Sequence, residues 1–576
     1  MVAQTLAVDL LILGAGGAGL FAALHAHRAD PSLAIAVAVK GLLGKCGCTR
    51  MVQGGYNVAL LPGDSIERHF MDTVEGGAWL NDQELAWRLV ATAPERVREL
   101  ENELGCFFDR NPDGTLHQKA FAGQSFDRTV HKGDLTGIEI MNRLAEQVWA
   151  RPIVRLEEHR AVELLPVRGG GAIAGALLVD LRSGQWRVVR ARAVLLATGG
   201  GPTMYRYHTP SGDKSCDGLA LALRAGAALR DLEMVQFHPT GLLAGPETRM
   251  TGTVLEEGLR GAGGHLLNGR GERFLLALDP RAERATRDLV SRAMYAEMRA
   301  GRTGPNGGLY LSVAHLGADT VRRLFPGMVE RCADCGFDLA GGRVEVVPTA
   351  HYLMGGLETT PECRSSLEGL WVAGEDAGGV HGANRLGGNG VANSTVFGGV
   401  AGDAIARALA AGASPGEPDP EAIAQAIARA ERPLRRVDRP EALGELRARL
   451  AEIMWNDVGI VRSGMGLKRA LGELAALRET LAHTGLAARE RGYNLAWQEW
   501  LNVDSLLETS EAIARAALAR EESRGAHWRE DFPHRGPDEH CYFLRVRRAG
   551  GALAVERVPV LFSRVRPGES LLPRAA

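Results

Sequence analysis

Asp9-Leu-Leu-Ile-Leu-Gly-Ala-Gly-Gly-Ala-Gly19 decides the fold. An apolar strand enters a glycine turn and Leu20 to Arg28 continues as a helix. Gly14, Ala15, Gly16, Gly17, Ala18 and Gly19 thus form the strand-turn-helix that lets a backbone approach a pyrophosphate at a helix N-terminus. The second strand, Ala34 to Val39, ends in Lys40 rather than in the Asp or Glu that grips a ribose diol, which speaks against a nicotinamide enzyme. Lys40 itself reads either as a site lysine or as a solvated one. Arg192-Ala-Val-Leu-Leu-Ala-Thr-Gly-Gly200 and Gly369-Leu-Trp-Val-Ala-Gly-Glu375 repeat the pattern of a buried parallel strand running into glycine.

Strands so far apart imply one sheet assembled around an insertion. The expected class is α/β: a doubly wound, Rossmann-like nucleotide-binding domain from residues 1–241 and 350–411, with an α+β capping domain inserted at 242–349. Beyond the Gly/Pro/acidic linker 412–420, apolar and charged residues alternate at helical spacing, giving a helical domain over 412–530. The tail 531–576 reads as a small β element turning at Gly550-Gly551.

Composition narrows the function. A chain of 576 residues is too long for one core, and a net charge of -2 gives no basic footprint for nucleic acid. Eight scattered cysteines are no disulfide framework, which fits a reducing, cytoplasmic setting. The one CxxC, Cys332 to Cys335, falls short of the four ligands of a closed zinc site, so no metal site is expected and any iron–sulfur cluster would sit on another subunit. The apolar run Leu10 to Leu24 is broken by glycines and is not a membrane span, so membrane contact would come only through partners.

Five further segments carry chemistry: Thr49-Arg-Met-Val-Gln-Gly-Gly55, Gln236-Phe-His-Pro-Thr-Gly241, Val254-Leu-Glu-Glu-Gly-Leu-Arg260 with Thr286-Arg287-Asp288, His351-Tyr-Leu-Met-Gly-Gly356, and His381-Gly-Ala-Asn-Arg-Leu-Gly-Gly388. Singly, each has a plain structural explanation. In this order they resemble the flavoprotein subunits of succinate dehydrogenase and fumarate reductase, to which L-aspartate oxidase is related. The resemblance reaches Glu522-Ser-Arg-Gly-Ala-His-Trp-Arg-Glu-Asp-Phe-Pro533 near the C-terminus.

The resemblance implies an FAD enzyme interconverting succinate and fumarate, or a close carboxylate analogue, by hydride transfer at flavin N5. Arg287 would deliver the proton, reloaded through Glu257 and Arg260; His238 would hold one substrate carboxylate, and His351 with Arg385 the other. Thr49, Gln53, Gly54 and Gly55 would line the isoalloxazine, Asp217 and Glu375 would bind FAD hydroxyls, and Asn389-Gly390-Val391 would open a helix facing the pyrimidine end. An iron–sulfur subunit would exchange the electrons, placing the chain in the cytoplasm or at the inner face of the membrane.

Two departures bear on cofactor and substrate. Cys48 stands where relatives carry a histidine bonded to the flavin, leaving three readings: non-covalent FAD, a cysteinyl thioether, or a spectator thiol. Non-covalent FAD is the expectation. Glu256 replaces a threonine whose hydroxyl binds a substrate carboxylate, and Ala262 replaces a glutamate; unless protonated or turned away, Glu256 would repel a dianion. The rival activity is a stand-alone L-aspartate oxidase-like enzyme acting on an amino dicarboxylate. Lys119-Ala-Phe-Ala-Gly-Gln-Ser125 is closer to the succinate/fumarate group than to that oxidase. A flavin-binding assembly subunit without turnover is a further rival, against which the complete relay argues.

Overall fold

The computed structural model describes residues 4–245, 248, 250–436 and 442–573. Residues 1–3, 246, 247, 249, 437–441 and 574–576, which fall within the expected domain ranges, lie outside the described residues.

Strand β1 (Gln4–Leu13) lies parallel to β2 (Ile35–Val39) on one side and to Trp186–Leu196 on the other. Val154–Glu157 continues the sheet beyond β2, and Leu370–Val372 pairs in parallel with the end of Trp186–Leu196. The segments that run into glycine therefore do meet in one sheet. Alternation along β1 sends Leu10 and Ile12 into one core and Leu11 and Leu13 into the other. Both faces of its C-terminal half are covered, which is why Leu10 to Leu13 are apolar without interruption.

The first core is closed by α1 (Gly17–Ala29) and by the 22-residue helix Asn389–Ala410, whose glycines allow close approach: a Cβ on Gly398 would lie 2.5 Å from the Ala18 carbonyl. The second face carries the C-terminal helices, whose Trp497 and Trp500 are buried in the same core as Leu177 and Val189. An antiparallel pair, His159–Pro166 and Ile173–Asp180, extends the sheet at this end, an addition that the strand patterns in the sequence do not announce.

Residues between Leu242 and Val346 form a separate core with their own helices and strands. The chain enters and leaves this cap through one antiparallel pair, Val235–Leu242 against Arg343–Leu353. A terminal hairpin, Tyr542–Ala549 with Ala552–Pro559, pairs with Leu229–Arg230. Among the described residues no helix is long and apolar enough to cross a membrane.

Candidate active site

A single cavity of about 480 Å³ runs from the glycine turn to the cap. At the turn, Gly14 has φ +114° and an added Cβ would lie 2.1 Å from the Ala197 carbonyl, so only glycine fits. Gly14 to Ala18 line the cavity, whereas Gly19 does not. A Cβ on Gly19 would strike the Gly14 carbonyl at 2.0 Å, so this glycine serves the packing of helix on strand.

Lys40 is no solvated lysine. Its ammonium pairs with Asp217 at 2.8 Å and donates to Ser215. Asp217 also pairs with Arg160 at 2.7 Å, so it braces the lysine while lining the cavity. Glu375 accepts from the Leu353 amide at 3.0 Å, and burial pushes its carboxyl up to about 7. Thr49 accepts from the Gly17 amide, Gln53 donates to the Val254 carbonyl, and Gly54, Gly55, Gly390 and Val391 complete the wall. Asn389 stands behind it, bonded to Asn57, His69 and Thr73. Burial drives the Cys48 thiol up to about 12 against the pull of Lys214, so at neutral pH it is a thiol and a poor nucleophile.

The cradle fits a flavin dinucleotide. The turn admits phosphates, and the Oε1 of Gln53, a cavity-lining residue, is buried with no partner in the protein. An orphaned acceptor of this kind calls for a donor from a ligand or a water.

At the cap end, both histidines sit on the strand pair that joins cap to sheet. His238 is in register with Thr349, and the His238 and His351 rings lie 5.3 Å apart, edge to face. Burial first, then Arg287 and other nearby guanidiniums, hold both imidazoles well below their ordinary value and hence neutral. The Thr240 amide donates to His238 Nδ1 at 3.3 Å, which places the ring proton on Nε2 and makes that atom a donor. His351 Nδ1 shares a 2.8 Å bond with the Thr209 hydroxyl.

Arg287 is the first residue of the helix Arg287–Arg299, where the helix dipole disfavours a cation. Ser291 pins that helix by donating to the Phe237 carbonyl at 3.0 Å. Arg287 donates through Nε and NH2 to Glu257 Oε2, while Arg260 donates to Glu257 Oε1 at 2.9 Å. Burial alone would raise Glu257, but the two guanidiniums overcome it and hold the carboxyl at about 2. Arg260 is one layer behind the cavity wall and is anchored by the Glu283 carbonyl.

Gln236, quoted within a motif but given no role from sequence, accepts from Arg287 at 3.0 Å and donates to the Arg385 carbonyl at 2.7 Å. One amide thus spaces the two arginines. Its place two residues before His238 on a strand was the available signal. Arg385 has no carboxylate within 4 Å among the described residues; it lies 4.3 Å from the Tyr352 ring, and burial with Arg287 lowers it to about 10.

Glu256 is turned to Lys119, whose ammonium binds Oε1, while Oε2 is buried. Burial raises its pKa and Lys119 opposes this. Lys119 thus offsets the charge on the Oε1 side, while Oε2 of this cavity-lining carboxyl has no partner in the protein.

The FAD binding domain family matches residues 9–391, and the fumarate reductase flavoprotein C-terminal family matches residues 447–571. A fumarate reductase (CoM/CoB) subunit of Methanothermobacter marburgensis is 41% identical over 537 residues, covering 92% of this chain and 95% of that one. The fumarate reductase flavoprotein subunit of Escherichia coli is 35% identical, covering 98% and 96% of the two chains. A solved variant of FrdA from E. coli quinol fumarate reductase superposes with a TM-score of 0.90 at 33% identity, covering 100% of this chain and 99% of that one.

Proposed function

The chain belongs to the family of fumarate reductase and succinate dehydrogenase flavoproteins, FAD-dependent oxidoreductases, and from that premise we propose that it interconverts fumarate and succinate. The observation that carries the reading is a charge imbalance. Arg260, Arg287 and Arg385 are buried together and have one carboxylate, Glu257, within ion-pair reach among the described residues. The excess of two positive charges is what a dicarboxylate would balance, and both histidines beside it are neutral.

Bound FAD supplies the hydride acceptor or donor. Arg385 and His351 hold one carboxylate and His238 Nε2 donates to the other, fixing the substrate so that its reacting carbon faces Arg287. Arg287 transfers the proton and is reloaded through Glu257 and Arg260, whose short bonds to one carboxylate give a continuous path. Its fixed charge also stabilises enolate-like charge developing on the substrate. Electrons pass to or from a separate iron–sulfur subunit. The Lys119–Glu256 pair reduces the repulsion that an unpaired Glu256 would exert on a dianion and so favours the plain dicarboxylate.

The test uses FAD-loaded protein with a reduced viologen dye as donor. Fumarate should be consumed and succinate formed in equal amounts, with no oxidation of L-aspartate by oxygen. L-aspartate oxidation without fumarate turnover would move the assignment to the amino-dicarboxylate oxidase.

A further inference from the structure

We infer that Arg331 is a further substrate-binding residue, an anion subsite at the cap edge of the cavity, beside the Val254 carbonyl, that takes a carboxylate of the substrate. The inference rests on the dicarboxylate reading above. Arg331 lines the same cavity as His238, Val254, Glu256 and Arg287. Its hydrogen bond within the protein runs from NH1 to the Val254 carbonyl at 3.1 Å, and no carboxylate lies within 4 Å of it among the described residues. Most of the five donors of this guanidinium are therefore uncommitted.

The charged groups around it do not absorb that capacity. Glu256 is occupied by Lys119 on its Oε1 side. Asp134 attracts Arg331 without pairing with it within 4 Å, and burial outweighs that attraction, so the guanidinium is lowered from its ordinary value. Arg50, another arginine of the cavity wall, is by contrast bonded to the Gly44 carbonyl and to Asn142.

Placement is also built in. Arg331 stands on the cap helix Pro326–Ala333, and Met328 of that helix receives the Glu256 amide at its sulfur. The Val254 carbonyl that holds Arg331 also accepts from Gln53 at 3.0 Å, so the guanidinium is referenced to the flavin side of the cavity. Arg331 is thus a guanidinium of the cavity wall with donors to spare for a substrate carboxylate.

The experiment is a titration of the flavin absorbance of FAD-loaded protein with malonate, a non-reacting dicarboxylate, and with propionate, a monocarboxylate. Arg331→Gln should raise the malonate Kd at least fivefold and the propionate Kd less, with Arg331→Lys in between, and KM for fumarate should rise while kcat holds. A malonate Kd for Arg331→Gln less than fivefold above wild type overturns the subsite, and so does an equal loss for propionate. Failure of the wild type itself to bind malonate overturns the dicarboxylate reading, and the subsite falls with it.

Discussion

At the cap end of the cavity three buried guanidiniums have one carboxylate among them, Glu257, paired with Arg260 and Arg287 and out of ion-pair reach of Arg385, whereas behind the C-terminal helix Arg520 alone is met by three: Glu233 at 2.6 Å, Glu522 at 3.0 Å and Asp231 at 3.1 Å. Burial lowers an arginine in both places. At Arg520 the carboxylates overcome it and raise the guanidinium above its ordinary value; at Arg260 and Arg385 burial wins. The same residue type is therefore saturated where it holds segments together and left short of counter-charge where a ligand is awaited. Arg524, bonded to Glu522 and Asp538, follows the saturated pattern.

The largest effect expected concerns Arg287. Arg287→Ala should lower turnover at least about a thousandfold, about 4 kcal/mol in the barrier, while FAD still binds and is still reduced by dithionite. Lysine should recover little, lacking the two-pronged contact to Glu257. Turnover within about tenfold of wild type would remove Arg287 from the proton path.

Next comes the contrast itself, read by chemical denaturation. Arg520→Met leaves the buried Glu233 without an ion-pair partner among the described residues, takes one of two cations from Asp231 and from Glu522, and should cost about 3 kcal/mol or more. Arg385→Met removes a cation that lacks a carboxylate, so stability should hold or rise while fumarate binding is lost. Equal destabilisation by the two substitutions would break the comparison.

Glu375 sharpens it from the acid side. Its folded value near 7 lies above the ordinary 4.5, so ionisation is easier in the unfolded chain. Its contribution to the stability of the FAD-free protein should be full below about 4.5, fall as pH rises to about 7, and level off after losing at most about 3 kcal/mol. Glu375→Gln should flatten that slope; an unchanged slope would place its origin elsewhere.

The smallest effect belongs to Cys48. Acid precipitation should leave yellow flavin in the supernatant, and Cys48→Ser should change turnover less than about twofold. Flavin that stays with the pellet in wild type, and is freed in the variant, would establish a thioether instead.

The parallel sheet was legible because its strands end in glycine, and a Cβ there would enter a backbone carbonyl, as at Gly14. The antiparallel extension was not, since Ile173–Asp180 is as apolar as a parallel strand. Within the site, Glu257 and Arg260 are neighbours by helical spacing, and the motifs named Arg287 and Arg385. The partner of Glu256 could not be read, because Lys119 is 137 residues away and only the fold brings them together. Arg331 lies outside the five segments read as carrying chemistry, beside the CxxC of Cys332 and Cys335. Its significance lies in the absence of a carboxylate, which only coordinates reveal.

The saturated arginine also sets an order of events during synthesis. Glu233 is fully buried, and Arg520, the cation paired with it, lies 287 residues later in the chain. Until the ribosome has released that arginine, the loop leading into the strand of His238 holds Glu233 without its counter-charge. The nascent nucleotide-binding half cannot settle its substrate wall ahead of the C-terminal segment. Premature termination before Arg520 would thus leave a chain able to begin its sheet but not to complete the pocket.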